Sequence, residues 1–172
     1  YNWYAVDDDR GVCPESWHVP TDEEWTMLKD FITNDGYYGI EGDALKEVGY
    51  EHWQYYDDDM NGLDIYGFTG LPGGYRYFNG DYDAMGYYGR FWSSTEYDSF
   101  YAWGWRLYYS YSEVYRGNYI KGNGFSMRCI EDEPETGTIH IPAEYPTIQA
   151  GIDAAIDGGT VLVSAGTYVE NI

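Results

Sequence analysis

The chain has 172 residues, enough for one core of ordinary size, or for one domain plus part of another, and too few for a large multidomain enzyme. Lys plus Arg number 9 against 30 Asp plus Glu, and the resulting formal charge of −21 repels nucleic acid and anionic lipid. With 22 Tyr, 7 Trp, 6 Phe and 22 Gly it has the apolar surface and turns that disordered acidic chains lack, and no apolar run approaches the roughly 20 residues of a membrane-spanning helix.

The sequence opens at Tyr1 without an initiator Met or a signal pattern, which reads as a mature product or an excised piece. Asp7-Asp8-Asp9 reads as a hairpin tip. Pro20-Thr21-Asp22-Glu23-Glu24-Trp25 predicts a helix start, with Thr21 as N-cap, Glu24 as its capping-box partner and acidic residues in the first turn, where the helix dipole favours them. Trp25, Leu28, Phe31 and Ile32 then form one apolar stripe, and Asn34-Asp35-Gly36 ends the helix. A second, short helix is expected over 43–48.

From Gly62 onward, runs that favour strands alternate with Gly, Asn, Asp and Pro: 68–71, 74–78, 90–94, 101–109, 113–116 and 125–130. Trp103, Trp105 and Leu107 alternate with Gly104, Arg106 and Tyr108, which predicts a strand with one face buried and the other wet. The expected core is Trp92, Trp103, Trp105, Leu107 and Phe125. Helices early and strands late make an α+β layout. Composition changes near Glu131: all Lys, Arg, Trp and Cys precede an acidic, Pro-containing stretch, and an Ile/Ala/Val/Gly-rich segment follows it. The predicted division is a domain over 1–132, a linker over 133–137 and a second segment over 138–172.

Cys13 and Cys129 sit at the two ends of the first part and read as a disulfide in preference to two reduced thiols or a metal pair, since two Cys without nearby His make a poor zinc site. A disulfide implies an oxidising, extracellular or cell-surface location. Asp57, Asp59, Asn61 and Asp64 fall in an Asp-x-Asp-x-Asn-Gly run that matches the first half of a calcium loop, but Phe68 stands where the closing acid belongs. A solvated acidic loop is the favoured reading and calcium the alternative. His18 reads as a structural residue, and His52 and His140 have no companions in the sequence. In 97–123, Tyr97, Tyr101, Tyr108, Tyr109, Tyr111, Tyr115 and Tyr119 are interleaved with Ser, Gly, Asn and Asp, the mixture that adaptable binding surfaces use. The competing assignment is ordinary sheet packing with the hydroxyls in solvent.

Tyr1-Asn2-Trp3-Tyr4-Ala5-Val6, Cys13-Pro14-Glu15-Ser16-Trp17-His18-Val19-Pro20-Thr21, Gly67-Phe68-Thr69-Gly70-Leu71-Pro72-Gly73-Gly74-Tyr75-Arg76, Phe91-Trp92-Ser93-Ser94-Thr95-Glu96 and Gly124-Phe125-Ser126-Met127-Arg128-Cys129 occur in this order. Together they resemble the Fibrobacter succinogenes major paralogous domain over about 1–132. The resemblance implies the C-type-lectin-like fold shared with formylglycine-generating enzymes, in secreted or surface-attached bacterial proteins, with the two Cys tying the beginning to the last strand. It also implies strand segments before Tyr1, which the sequence does not contain. The oxidase relatives use a pair of reactive cysteines, and here the two Cys fall at the structural positions, so no enzyme activity is expected. Residues 97–123 also resemble the variable segment of retroelement-diversified proteins on this fold.

In the second part, Thr138-Ile139-His140-Ile141-Pro142-Ala143-Glu144-Tyr145-Pro146-Thr147-Ile148-Gln149, then Ile152-Asp153-Ala154-Ala155 and Gly158-Gly159-Thr160-Val161-Leu162-Val163-Ser164, resemble the entrance of a pectin-lyase-like right-handed β-helix. The resemblance implies a cap helix over about 147–156 and a strand over 160–164. Solenoid coils bury their apolar faces only against neighbours, so one coil is expected to need continuation. The expected function is a noncatalytic extracellular module that binds a glycan or protein through the Tyr/Trp-rich surface. The alternative is a subunit of an extracellular fibre or surface array, a homopolymer assembled by strand addition through 138–172 and the N-terminal edge.

Overall fold

In the computed structural model, which describes residues 1–56, 62–132 and 138–167, Asn2 accepts a hydrogen bond from the Ala5 N–H and starts a one-turn helix, α1 (Trp3–Val6). The acidic run after it is a turn following a helix and not a hairpin tip: Gly11 N–H bonds the Asp8 carbonyl, and the Asp8 carboxylate holds the Arg10 guanidinium at 2.7 Å. A two-residue strand, β1 (Trp17–His18), leads to Thr21, which caps α2 (Asp22–Ile32) as the sequence predicts. Thr21 Oγ1 accepts from Glu24 N–H, and the Glu24 carboxylate accepts from Thr21 N–H. Trp25 and Ile32 are buried, whereas Phe31 is exposed and rests edge-on against Tyr66, so the stripe is narrower than the spacing predicts. The chain leaves the helix through a wide turn, Thr33–Tyr37, in which Gly36 takes φ 103°, a backbone conformation that a side chain disfavours.

The second helix, α3 (Glu41–Leu45), starts two residues and ends three residues earlier than predicted. Gly42 explains the shift: a Cβ there would come within 2.7 Å of the Ser112 carbonyl, so a glycine lets the helix press onto a strand backbone. Asp43 and Lys46 beside it are buried and paired at 2.9 Å, and Lys46 Nζ also donates to the Tyr111 carbonyl at 2.6 Å.

A small hairpin, β2 (Tyr75–Arg76) and β3 (Tyr82–Asp83), precedes a three-stranded antiparallel meander, β4 (Tyr88–Glu96), β5 (Tyr101–Tyr108) and β6 (Tyr111–Ile120). The last strand of this part, β7 (Ile130–Glu131), pairs with β1, and the Cys13–Cys129 disulfide joins the same two chain regions. Two expected strands are loops instead. In 68–71 the backbone polar groups are used singly, with Gly70 N–H on the Leu45 carbonyl and the Gly70 carbonyl accepting from Glu47 N–H and Trp53 Nε1. In 125–130 only Ile130 is in a strand, while Ser126 bridges Arg90 and Trp92 through its backbone.

The meander is covered on both faces, not on one. Phe91, Trp105 and Leu107 point to a core with Trp25, Ile32, Leu45 and Trp53, and Trp92 and Ala102 on the opposite face meet Trp3 and Phe125. Trp103, expected in the core, is half-buried, with the Arg116 guanidinium 3.4 Å over its ring and Tyr97 at its edge. Arg116 is fixed there by Asp22, which also accepts from Trp105 Nε1, so the first turn of α2 is tied to β5 and β6.

The chain divides into two compact units, Tyr1–Glu131 and Asp132–Ile172. In the second, β8 (Thr138–Ile141) and β9 (Thr160–Val163) pair in parallel, and a helix, α4 (Ile148–Ala154), connects them, as parallel neighbours require. Thr147 Oγ1 caps α4 by accepting from Ala150 N–H. Helix and strand end one or two residues short of the expected bounds. Ile141 is fully buried, and Gly151 admits it, since a Cβ there would come within 2.6 Å of Ile141 Cδ1. Ile152, Ile156, Leu162 and Val163 are exposed.

Candidate functional site: a face of tyrosine and arginine

Register decides which side chains of the meander meet. Tyr88 is opposite Tyr108, Arg90 opposite Arg106, and Trp92 opposite Gly104; across the next pair Arg106 faces Tyr115, Gly104 faces Gly117, and Ala102 faces Tyr119. Side chains alternate between faces along a strand, so these residues share one side of the sheet. At one end of that side Trp3 and Phe125 cover Trp92 and Ala102; toward the β5–β6 turn the covering side chains are Tyr and Arg.

Small residues make room for the rings. A Cβ at Gly104 or Gly117 would come within 3.1 or 3.2 Å of Tyr119, so the paired glycines let the Tyr119 ring lie against the sheet. Arg90 is caged, its Cζ lying 3.8 Å from the Tyr75 centroid, 4.8 Å from Tyr88 and 5.0 Å from Tyr119. Arg106 lies 4.2 Å from the Tyr115 centroid. Around them Tyr88 and Tyr108 stack at 4.3 Å, Tyr111 adds to Tyr108 at 5.2 Å, and Tyr75 meets Tyr77 at 4.9 Å with their hydroxyls 2.8 Å apart. Burial first, and then the Tyr77 hydrogen bond, push Tyr75 up to about 12 against the lowering charge of Arg90. Burial likewise raises Tyr119, with Arg106 and Arg90 pulling the other way.

Two like charges directly opposite across strands cost about 0.2–1 kcal/mol. Cation–π contacts of this kind contribute about 0.5–2 kcal/mol each, so the surrounding rings can offset the repulsion. Neither Arg90 nor Arg106 has a carboxylate partner among the described residues, and the buried Nε atom of each carries no hydrogen bond. Tyr111 and Tyr115 stand exposed at the rim. A cleft of about 390 Å³, lined in part by Tyr75, Arg76, Tyr82 and Phe125, adjoins the cage through Tyr75 and Phe125.

Of the seven Tyr singled out from the sequence, Tyr108, Tyr111, Tyr115 and Tyr119 belong to this face. Tyr109 turns to the other side, against Tyr87 and Tyr56. Tyr101 lies at the far end of β5, about 23 Å from Tyr108 at a rise of about 3.3 Å per residue, and Tyr97 leans on Trp103. Sequence reasoning missed Tyr75, Tyr77, Tyr88, Arg90 and Arg106, which lie outside 97–123 or at a strand position taken as wet. The alternation in Tyr75-Arg76-Tyr77 is the signal that could have placed two rings on one side.

Asp57, Asp59 and Asn61 of the possible calcium loop lie outside the described residues. Asp64 folds back on the loop that follows it, its two oxygens accepting from Thr69 N–H at 2.7 Å and Thr69 Oγ1 at 2.8 Å. Glu47, Glu51 and His52 bring their ligand atoms within 4.8 Å of one another, a group that could hold a cation. His52 thus has a companion after all, Glu47 at 2.9 Å, whose carboxylate raises the imidazole above its ordinary value. His18 Nε2 meets Glu24 Oε1 at 2.9 Å, and the His140 N–H donates to Glu144. Burial pushes Glu24 up, but hydrogen bonds from Thr21 and His18 outweigh it and leave the carboxyl below the usual range. Cys13 and Cys129 are both in the disulfide, so neither sulfur is a free thiol.

The first unit is thus a disulfide-closed α+β domain that presents aromatic rings and guanidinium groups on one side of a short antiparallel sheet. The family model of the Fibrobacter succinogenes major domain matches residues 1–131, and the chain belongs to this family. Comparison with curated proteins and with solved structures gives no match.

Proposed function

We propose that residues 1–131 are a noncatalytic extracellular recognition domain of C-type-lectin-like fold, which binds a glycan or protein through the tyrosine and arginine face. The observation that carries this reading is the clustering of Tyr75, Tyr88, Tyr108, Tyr111, Tyr115 and Tyr119 around two arginines on a rigid sheet, with Tyr111 and Tyr115 exposed. Rings on strands give contact area at little conformational cost, and rigid elements hold a site better than loops do. The disulfide supports a location outside the reducing cytosol. Calcium is not required by this site. A glycan array probed with the intact chain and with the Tyr111→Ala/Tyr115→Ala double variant tests the proposal. Binding that the double variant loses supports it, and equal binding by both proteins removes this face from consideration.

The second unit favours a further role. Its parallel two-stranded sheet leaves Ile152, Ile156, Leu162 and Val163 exposed, as the first coil of a β-helix does before the next coil stacks on it. In the structural alternative, that coil is supplied by another copy and the chain forms a fibre or array. Light scattering of the chain with and without residues 133–172 separates the two: polymers that become monomers on truncation support assembly, and monomers in both forms exclude it.

A further inference from the structure

Cations are scarce in this chain, and four of its nine Lys and Arg pair with a carboxylate among the described residues. Arg10 pairs with Asp8, Lys46 with Asp43, Arg116 with Asp22 and Lys121 with Glu96. Arg90 and Arg106 are not among these four, and a buried Nε without a hydrogen bond sets them apart from the other arginines described. They are cross-strand partners, both partly exposed, and among the described residues neither meets a carboxylate, although 30 Asp and Glu are present. The buried Nε of each is without a hydrogen bond. Two cross-strand arginines are therefore partly desolvated, and tyrosine residues surround them.

We propose that Arg90 and Arg106 form an anion subsite inside the tyrosine face, and that it takes the carboxylate of an acidic sugar, such as glucuronate, set singly in an otherwise neutral glycan. The inference rests on the recognition role given above to the same face and names the ligand's chemistry. At 3.8 Å from the Tyr75 centroid and 4.2 Å from that of Tyr115, Arg90 and Arg106 lie against rings, and each residue stays partly exposed although its Nε is buried. An edge is what a carboxylate grips with two parallel hydrogen bonds. The exposed ring of Tyr115 lies against Arg106, and the exposed Tyr111 packs on Tyr108 of the same face; both offer apolar faces for the C–H side of a sugar, which a bare inorganic anion would leave unused. The formal charge of −21 repels a polyanion, so an isolated acidic sugar is favoured over a polyuronate or a nucleic acid.

The test is a nitrogen-15 NMR titration of the intact chain that follows the Arg Nε–H signals with sodium glucuronate, glucose and sodium sulfate. Glucuronate is expected to move the Arg90 and Arg106 signals saturably and more tightly than sulfate, while glucose leaves them in place. Arg90→Gln or Arg106→Gln should weaken glucuronate binding about tenfold or more, the loss of a charge-assisted hydrogen-bonded contact. Arg106→Lys keeps the charge but not the fork, and should weaken binding as well if the fork is what grips. The wild-type titration alone decides the matter if a Gln variant fails to fold. Signals unmoved by glucuronate, or moved equally tightly by sulfate, would overturn the acidic-sugar subsite. If neutral glycans still bind the array through Tyr111 and Tyr115, that failure belongs to the subsite alone; if no glycan binds in either experiment, the glycan form of the recognition reading fails with it.

Discussion

Asp22 offers the most quantitative test of how the first unit is held together. It occupies the first turn of α2 with only 8% of its surface exposed, and its Oδ1 accepts from Trp105 Nε1 at 3.0 Å and Arg116 Nε at 2.9 Å. Its Oδ2 accepts from Arg116 Nη2 at 2.5 Å. Asp22→Ala leaves the indole N–H of Trp105 buried without a partner, at a cost of about 1–3 kcal/mol. The Arg116 side chain is 41% exposed, so losing the ion pair adds no more than about 1 kcal/mol once solvent screening is counted. The sum is about 1–4 kcal/mol. Asp22→Asn keeps an acceptor for Trp105 and forfeits mainly the charge, so about 1 kcal/mol is expected. Urea unfolding followed by Trp fluorescence reads this unit alone, because every Trp lies within residues 1–131. Losses that are equal for Ala and Asn would refute the assignment of the larger share to the orphaned indole.

Other consequences are open to measurement. Cys13→Ser/Cys129→Ser removes a link across a sequence separation of 116 and should cost about 4–5 kcal/mol in the loop-closure account, read in the same urea experiment; a loss under 1 kcal/mol would show that the unfolded chain is already constrained. Gly42→Ala puts a methyl group against the β6 backbone and should cost about 1–3 kcal/mol of overpacking, whereas an unchanged midpoint would mean that α3 can withdraw. His52 should titrate above 6.5 by proton NMR, because Glu47 favours its charged form, and Glu47→Gln should return it toward 6.5. The sign follows from the raised value: the His52–Glu47 contribution is complete below pH 6.5 and fades as pH rises through the folded-state value. An imidazole titrating at or below 6.5 in the wild type would contradict the pairing.

Local chemistry made much of the first unit legible. The Thr21 and Glu24 pairing, the disulfide, and the burial of Trp92, Trp105, Leu107 and Phe125 all follow from residue type and spacing. What escaped was tertiary. Gly104 looks like part of a wet strand face because it has no apolar side chain, yet it is small because Tyr119 lies over it. Arg106 looks solvated by its place in the same alternation, and the rings over it come from β4 and β6, which no local window contains. The loop over 68–71 carries a strand-like pattern, but its backbone is shared among Leu45, Glu47 and Trp53 instead of a neighbouring ladder. Half of the candidate face was visible as Tyr-rich sequence; the rest depended on register.

The most direct test of the account is a calorimetric titration of the tightest-binding glycan from an array into the intact chain, Tyr115→Ala and Tyr101→Ala. Both Tyr are exposed, so both variants should fold, and they differ in which end and side of the sheet they occupy. The account predicts a loss of affinity of about tenfold for Tyr115→Ala, as for a ring in contact with ligand, and wild-type affinity for Tyr101→Ala. Affinity lost with Tyr101→Ala and kept with Tyr115→Ala, or equal affinity in all three proteins, would contradict it.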